Sequence, residues 1–184
     1  IATTGNATDF GDPSANRIQG SACASPIRGF HAGGHPGPSN VIDFIEFSTT
    51  GNAVDWGNLS VARYGPGALS SATRGVCGGG NDDGLNTMDT FSLQSLGNAV
   101  DFGDMTQTKK FRSGASSLLR GVFAGGGSTA VNVIDYITIA SAGAGTDFGD
   151  LTSARYVMGS TSNGHGGLDI QDPAVRFAPT PGVW

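Results

Sequence analysis

The chain is poor in charged residues and has no basic stretch. Asp, Glu, Lys and Arg make up 14% of the 184 residues, whereas about 25% is usual for soluble domains. The formal net charge is −5 and the pI is about 4.9, so no basic patch is available to attract a phosphate backbone or an anionic membrane surface. No apolar run approaches the roughly 18 residues that span a bilayer. We therefore expect neither a nucleic-acid partner nor a membrane span.

Cysteine and histidine are also scarce. Cys23 and Cys77 are the only cysteines; two buried thiols are the favoured interpretation, and a disulfide is the alternative. The histidines are His31, His35 and His165. Within the repeat described below, His31 and Cys77 share a position with Phe123, which indicates that the position serves packing. The sequence therefore predicts no metal site and no cofactor.

Sequence motifs of catalysis are missing as well. The glycine triplets at 78–80 and 125–127 are not followed by the Lys-Ser/Thr pair of a phosphate-binding loop, and there is no G-x-S-x-G segment. The segment NDDG at 81–84 lacks the later acidic ligand of a calcium-binding EF-hand loop, so we predict a plain turn there. We do not expect an enzyme, and we assign no catalytic residue.

Glycine, in contrast, is abundant, with 31 residues. Several of the glycines recur in segments that repeat every 46 residues. The segment DFGD at 9–12 returns as DWGN at 55–58 and as DFGD at 101–104 and 147–150. Counting from its aspartate gives repeat 1 at 9–54, repeat 2 at 55–100, repeat 3 at 101–146, a partial repeat 4 at 147–171 and a non-repeat tail at 172–184. Residues 1–8 align with the end of a repeat, which predicts the C-terminal strand of a preceding or closing unit. Such self-similarity is typical of stacked or circular repeat folds.

Each repeat is predicted to contain four short strands. They are an apolar strand before the glycines (120–124), an alternating strand (133–140), a strand around Asp101 and Phe102, and a weak strand of small residues at 114–117. No segment has sustained helical periodicity. Four short strands in 46 residues are typical of one blade of a β-propeller. The predicted fold is therefore all-β, a propeller of four-stranded blades with about four repeat units.

The amino-acid sequence of the repeat also resembles that of a known family. The segments RGVFAGGG (120–127), NVIDYITIA (132–140) and DFGDLT (147–152) resemble kelch repeats, and more closely a kelch-like repeat of virion proteins from marine bacteriophages, especially those of cyanobacteria. The resemblance covers residues 1 to about 167. It implies a kelch-like propeller in the virion, an extracellular particle, as part of a tail, fibre or surface appendage. The implied role is structural or host recognition, with a host surface glycan or another virion protein as partner. A cellular or secreted kelch-type adaptor is the alternative.

Charged and aromatic residues recur at fixed repeat positions. A basic residue stands at one position as Arg17, Arg63, Lys109 and Arg155. We favour a structural joint, such as an internal ion pair, because a binding site seldom needs the same group in every unit; a ring of charges around a ligand is the alternative. The recurring aromatic is expected to be buried between adjacent blades. The structural repeat positions are Asp9, Phe10, Asp55, Trp56, Asp101, Phe102, Asp147, Phe148, Arg28, Arg74, Arg120, Asp43, Asp89 and Asp135.

The connections that differ between repeats are the candidate binding surface. They lie at 35–39, 81–85 and 127–131, and they share length but little sequence, as recognition loops on a rigid scaffold do. Relaxed selection on exposed loops would give the same pattern. The candidate binding residues are His35, Ser39, Asn81, Asp82, Asp83, Ser128 and Thr129.

The sequence allows three interpretations of how the predicted ring of blades is completed. The 184 residues equal four times 46, which allows a four-bladed ring that the N-terminal strand completes. The alternatives are a fragment of a longer array and closure between the chains of a homo-oligomer. The irregular fourth repeat favours the fragment.

Overall fold

The computed structural model describes residues 5–82 and 84–162. This part of the chain contains twelve β-strands and no helix, which confirms the all-β prediction. Residues 5–8 form no strand. Residues 1–4, Asp83 and everything after Ser162, which includes His165 and the predicted tail, lie outside the described residues. The strands are β1 (Ser21–Ala24), β2 (Arg28–Ala32), β3 (Ser39–Glu46), β4 (Val54–Arg63), β5 (Gly67–Ser70), β6 (Arg74–Gly80), β7 (Leu85–Ser92), β8 (Val100–Asp104), β9 (Ser113–Ser116), β10 (Arg120–Ala124), β11 (Val131–Thr138) and β12 (Thr146–Arg155).

The described strands form three antiparallel sheets of four strands each. Sheet I contains β1–β4, sheet II contains β5–β8 and sheet III contains β9–β12, each in sequential order. This order follows from the short connections, because antiparallel neighbours can be joined by tight turns. All four predicted strands of a repeat are present, but each sheet crosses a repeat boundary. The weak strand of small residues is the first strand of a sheet, and the strand that carries the recurring aromatic is the last.

The first strands of the three sheets lie side by side. Ser70 Oγ in β5 donates to the Ala24 carbonyl in β1 at 2.8 Å, and Ser116 Oγ in β9 donates to the Ser70 carbonyl at 2.7 Å. A Cβ atom on Gly114 would lie only 2.1 Å from the carbonyl oxygen of Ala68. Small residues and glycine are therefore required where these backbones approach each other.

An apolar core lies between each pair of consecutive sheets in the described chain. Trp56 of sheet I packs with Phe91 of sheet II, and Phe102 of sheet II packs with Phe123 of sheet III. Trp56 and Phe102 are 4% and 2% exposed, whereas Phe148 in sheet III is 58% exposed. Trp56 and Phe102 are thus buried where the next sheet covers them, whereas Phe10, whose segment lies beside sheet I, is half-buried.

The last strand of each sheet also bonds to the loop before the last strand of the next sheet. Gly97 N donates to the Trp56 carbonyl at 3.1 Å, and Asn58 N donates to Asn98 Oδ1 at 3.0 Å. A Cβ atom on Gly57 would lie 2.4 Å from the Gly97 carbonyl oxygen. This contact explains why the third residue of the recurring DFGD or DWGN segment is a glycine.

The N-terminal segment makes the same contact with sheet I. Gly51 N donates to the Phe10 carbonyl at 2.8 Å, and Asp12 N donates to Asn52 Oδ1 at 3.0 Å. The segment 9–12 therefore sits against sheet I as β4 sits against sheet II.

Candidate functional site

Two of the recurring charged residues, Arg63 and Asp89, form a buried pair between sheets I and II. Arg63, at the end of β4, places Nη2 3.0 Å from Oδ2 of Asp89 in sheet II, and neither side chain is exposed. Arg63 Nη1 also donates to the Thr87 carbonyl at 2.8 Å and to the Gly79 carbonyl at 3.3 Å. Ser60 donates to Asp89 through its backbone N and its Oγ. The pair is hydrogen-bonded on both sides, so it joins the two sheets and presents no charge to a ligand.

Related pairs flank this one. Arg17 pairs with Asp43 of sheet I, and Ser14 Oγ donates to the same carboxylate at 2.7 Å. In sheet III, Asp135 accepts from Arg112 Nη1 at 2.6 Å. Arg112 lies three residues beyond Lys109, the residue that the repeat aligns with Arg63. The three aspartates of these pairs stand at one position of the repeat. The arginine that pairs with Asp135 does not stand at the repeat position of Arg17 and Arg63.

Of the other recurring arginines, Arg28 and Arg74 also reach from one sheet to the next. Arg28 Nη1 donates to the Leu93 carbonyl at 3.4 Å, and Arg74 Nη1 donates to the Ile139 carbonyl at 2.9 Å. Arg120 belongs to sheet III, and its guanidinium carbon lies 5.3 Å from the Tyr136 ring centroid. These arginines contact neighbouring strands and rings.

The variable connections lie at one edge of the sheets. Successive strands are antiparallel, so the connections between second and third strands share this edge with the links from one sheet to the next. Those links run through 64–66 and 105–112. We call this edge the loop rim, and its charged and aromatic members are His35, Tyr64, Asp82, Lys110 and Phe111.

Contacts between these five residues cross the repeat boundaries. The rings of His35 and Tyr64 have centroids 5.5 Å apart. Lys110 Nζ lies 5.5 Å from the Tyr64 ring centroid and 5.0 Å from the Phe111 ring centroid. The same ammonium lies 2.5 Å from Asp82 Oδ1. Loops from sheets I and II and both links therefore form one continuous surface.

Asp82 keeps its negative charge on this surface. The hydrogen bond from Lys110 holds the pKa of Asp82 below its ordinary value, and a hydrogen bond with Tyr64 acts in the same direction. The carboxylate side chain is 74% exposed. It is therefore an ionised acceptor that a partner can reach at neutral pH.

The remaining predicted binding residues divide between the rim and the joints. Asn81 Oδ1 accepts from Tyr64 N at 3.0 Å, and Ser128 and Thr129 are exposed. Ser39 Oγ lies 3.4 Å from Arg17 Nη1, so it belongs to a joint. The prediction for Asp83 falls outside the described residues.

Sequence reasoning did not identify Tyr64, Lys110 and Phe111 as rim residues. Their contacts join different repeats, so no single repeat shows them. The available signal was the segment KKFR at 109–112, whose charge departs from the other repeats.

A cavity of about 470 Å³ lies where the first strands converge. Its lining comes from equivalent positions of successive repeats, namely Gln19–Ala22, Gly65–Ala68, Phe111–Gly114, and Val157, Met158 and Ser160. We call it the axial cavity.

The backbone at the mouth of the axial cavity is left-handed. Gln19, Gly65, Phe111 and Val157 have φ values of 56°, 63°, 55° and 52°. Gly65 N donates to the Gln19 carbonyl at 2.7 Å, and Phe111 N donates to the Gly65 carbonyl at 2.6 Å. Only glycine adopts this conformation without strain, and strained non-glycine backbone concentrates at functional sites.

A larger cavity of about 620 Å³ lies against the open face of sheet I. It is lined by His31, Asp43 and Phe47, by Phe10 of the N-terminal segment, and by residues 160–162. Burial lowers the pKa of His31, and the positive charge of Arg17 acts in the same direction. His31 Nδ1 has no hydrogen-bond partner among the described residues. The cavity therefore favours the neutral imidazole.

Cys23 and Cys77 are free thiols that pack with the core between sheets I and II. The disulfide alternative is not formed. Burial raises the pKa of Cys77 to about 11 and also raises the pKa of Cys23. Both thiols are therefore protonated at neutral pH, and protonated thiols are poor nucleophiles and metal ligands.

Within residues 5–82 and 84–162, no group of three or more His, Cys, Asp or Glu side chains is placed to hold a metal ion. The same ranges contain no helix with the length and apolarity for a membrane crossing. No protein-family model and no curated protein matches the chain. The fold and the loop rim are therefore the features of the chain that bear on its function.

Proposed function

We propose that the chain is a kelch-like β-propeller module of a bacteriophage particle, with a non-enzymatic structural or host-recognition role. The 46-residue repeat and three four-stranded sheets whose first strands lie side by side support a propeller. The lining of the axial cavity by four equivalent segments supports the same arrangement. In this proposal sheets I, II and III are successive blades.

The proposed ring has four blades. Ser160 Oγ donates to the Gly114 carbonyl at 2.5 Å, which places residues around 160 against β9 as β9 lies against β5. At the other end, segment 9–12 lies against sheet I like the last strand of a preceding blade. A monomer with a radius of gyration of about 16 Å, measured by small-angle scattering, would support the ring. A dimer would favour closure between chains.

The loop rim carries the proposed recognition role. Its exposed Asp82 carboxylate, the aromatic rings of Tyr64 and Phe111, and the Lys110 ammonium come from different repeats and meet on one surface. Aromatic faces with adjacent charged groups are typical of recognition surfaces. The proposed partner is a host surface glycan, with another virion protein as the second candidate.

Two experiments test this proposal. Antibodies raised against the chain should label purified phage particles in immunogold electron microscopy. Their absence from particles, with the protein recovered from cell extracts, would favour the kelch-type adaptor. Fluorescent chain should also label host cells, and the double variant Asp82→Ala/Lys110→Ala should lose this labelling.

The matched control for the cell-binding experiment is Leu118→Ala/Leu119→Ala. These leucines are 54% and 69% exposed, and they lie in the turn between β9 and β10, at the edge opposite the loop rim. Equal loss of labelling with both double variants would contradict recognition by the rim.

A further inference from the structure

We infer that the segment GNA at 5–7 is a strap that binds the outer edge of β12 and so closes the ring. The contact is not made in the structure, which therefore has the strap open. This inference rests on the proposed four-bladed ring, and it names the contact by which that ring closes.

The first argument is a backbone contact that the described chain makes three times. In each case a glycine-containing loop donates two N–H groups to one of the recurring DFGD or DWGN segments. Gly97 N and Ala99 N donate to the carbonyls of Trp56 and Asn58 at 3.1 and 2.8 Å. The same two bonds join Gly143 and Gly145 to Phe102 and Asp104, and Gly51 and Ala53 to Phe10 and Asp12.

The second argument is that one loop and one strand of the described chain lack this contact. The GNA segment at 5–7 has the same sequence as the loops at 51–53 and 97–99, and its residues are exposed. In β12, the DFGD segment at 147–150 accepts no N–H group from such a loop among the described residues. The unmatched loop and the unmatched strand are therefore complementary.

The third argument is the backbone of β12, which already has the conformation of the paired segments. Gly149 has a φ of 135°, close to the 143° of Gly11 and the 134° of Gly103. A Cβ atom on Gly11 or Gly103 would lie 2.2 or 2.5 Å from a loop carbonyl oxygen, whereas one on Gly149 would meet nothing within 4 Å. Glycine marks sites of close backbone approach, so β12 is shaped for a loop.

The two ends of the described chain lie around the same cavities, which favours the chain's own loop over that of a second copy. Residues 10–13 and 160–162 line the cavity beside sheet I, and residues 19–22 line the axial cavity together with Met158. A tethered segment has a high effective concentration at a nearby site. The partner of β12 is therefore segment 5–7 of the same chain.

The joint that the strap closes lacks the buried ion pair of its counterparts. Arg155, at the end of β12, stands at the repeat position of Arg17 and Arg63, but it is exposed. Its Nε donates to Ser153 Oγ at 3.0 Å, and it has no acidic partner among the described residues. Regions with few buried contacts open at the lowest free energy. This is therefore the joint at which the ring opens and closes.

The first test is amide hydrogen exchange of the natural chain, followed by NMR. In the closed ring Gly5 N and Ala7 N donate to β12, so both amides should exchange at least about tenfold more slowly than in a short peptide of the same sequence. The amides of Gly97 and Ala99, whose bonds are seen in the structure, are the comparison for a closed contact.

A cysteine cross-link identifies the partner of the strap. Asn98 Oδ1 accepts from Asn58 N at 3.0 Å, and Asn6 and Asp150 hold the equivalent positions. Asn6→Cys/Asp150→Cys should therefore form a disulfide within one chain under mild oxidation, as the control Asn58→Cys/Asn98→Cys should. Asn6→Cys/Thr129→Cys, which places the second thiol on a variable connection, should form none.

Each outcome decides the inference. Slow exchange of both amides, with a cross-link inside one chain, supports the strap. Exchange as fast as in the peptide would overturn it, as would a cross-link only between chains or a missing cross-link where the control forms one. If the control itself forms none, the exchange rates decide.

Failure of the strap and failure of the proposed function are distinguishable. If the strap fails while the chain scatters as a monomer with a radius of gyration of about 16 Å and labels phage particles, this inference falls and the proposed function stands. A closed strap in a chain that is absent from particles would contradict the phage role alone.

Discussion

Arg63 and Asp89 belong to different sheets, and their charged atoms lie 3.0 Å apart with no exposure of either side chain. Arg63 also donates hydrogen bonds to the backbone carbonyls of Thr87 and Gly79 in sheet II. The position of the pair makes it a joint between sheets I and II, and the joint can be tested by removing one partner.

Arg63→Ala should lower the free energy of unfolding by about 3–5 kcal/mol, because it leaves the Asp89 carboxylate buried without its partner. Guanidinium denaturation measures this change. The control is Arg155→Ala at the same repeat position, where the arginine is exposed and the expected change is within about 0.5 kcal/mol. Equal losses for the two variants would contradict the joint.

Gly114→Ala should destabilise the chain by about 1–3 kcal/mol. The added methyl would lie 2.1 Å from the Ala68 carbonyl oxygen, so β5 and β9 would have to separate. Gly51→Ala is the control, since its Cβ would meet nothing within 4 Å. Thermal unfolding of the two variants compares them directly, and an unchanged transition for Gly114→Ala would show that these strands are farther apart.

The stability of the natural chain should fall as the pH drops below about 6.5. Burial lowers the pKa of His31 in the folded state, so the unfolded chain takes up this proton more readily and the folded state loses stability at low pH. Above the unfolded pKa the ring is neutral in both states, and the contribution is fully present. His31→Phe should reduce this pH dependence.

The repeat provides the matched comparison for His31. Phe123 and Cys77 occupy the equivalent position in sheets III and II, so His31→Cys should reduce the pH dependence as His31→Phe does. Denaturation at several pH values between 4.5 and 7.5, a range that brackets the ordinary histidine pKa of about 6.5, measures the slope. The same slope in all three proteins would exclude His31 as its source.

Cys77 should react slowly with iodoacetamide in the folded chain. Burial raises its pKa to about 11, so at pH 8 only about one thiol in a thousand is ionised, and access is also blocked. Mass spectrometry should find rapid alkylation of both cysteines after denaturation and little before it. Rapid labelling of the folded chain would show that the core between sheets I and II opens.

The strands could be predicted from the sequence. The assignment of strands to the same sheet could not. Alternation and the spacing of glycines predicted β10 at the observed Arg120–Ala124. The repeat count begins at Asp9 and Asp55, which lie in last-strand segments, so it divides each sheet between two repeats. Repetition determines the length of the unit but not where the chain passes from one sheet to the next.

The candidate site was less predictable for a different reason. Arg112, and not Lys109, pairs with Asp135, which departs from the repeat alignment. The left-handed backbone at Phe111 could not be predicted either, because the residue is not a glycine. The rim contacts of Tyr64 and Lys110 join residues of different repeats, so a repeat-by-repeat comparison cannot show them. Only the unusual charge of residues 109–112 marked this link in advance.

The equivalence of the joints has an evolutionary consequence. The apolar core and the glycine contacts that join sheets I and II recur between sheets II and III. A gene duplication or an unequal crossover that preserves the 46-residue phase therefore adds or removes a unit while keeping these contacts. Out-of-phase events would place a small-residue strand where an aromatic strand is needed. In-phase recombination can therefore replace the loops of the rim while the sheets and the contacts between them are retained.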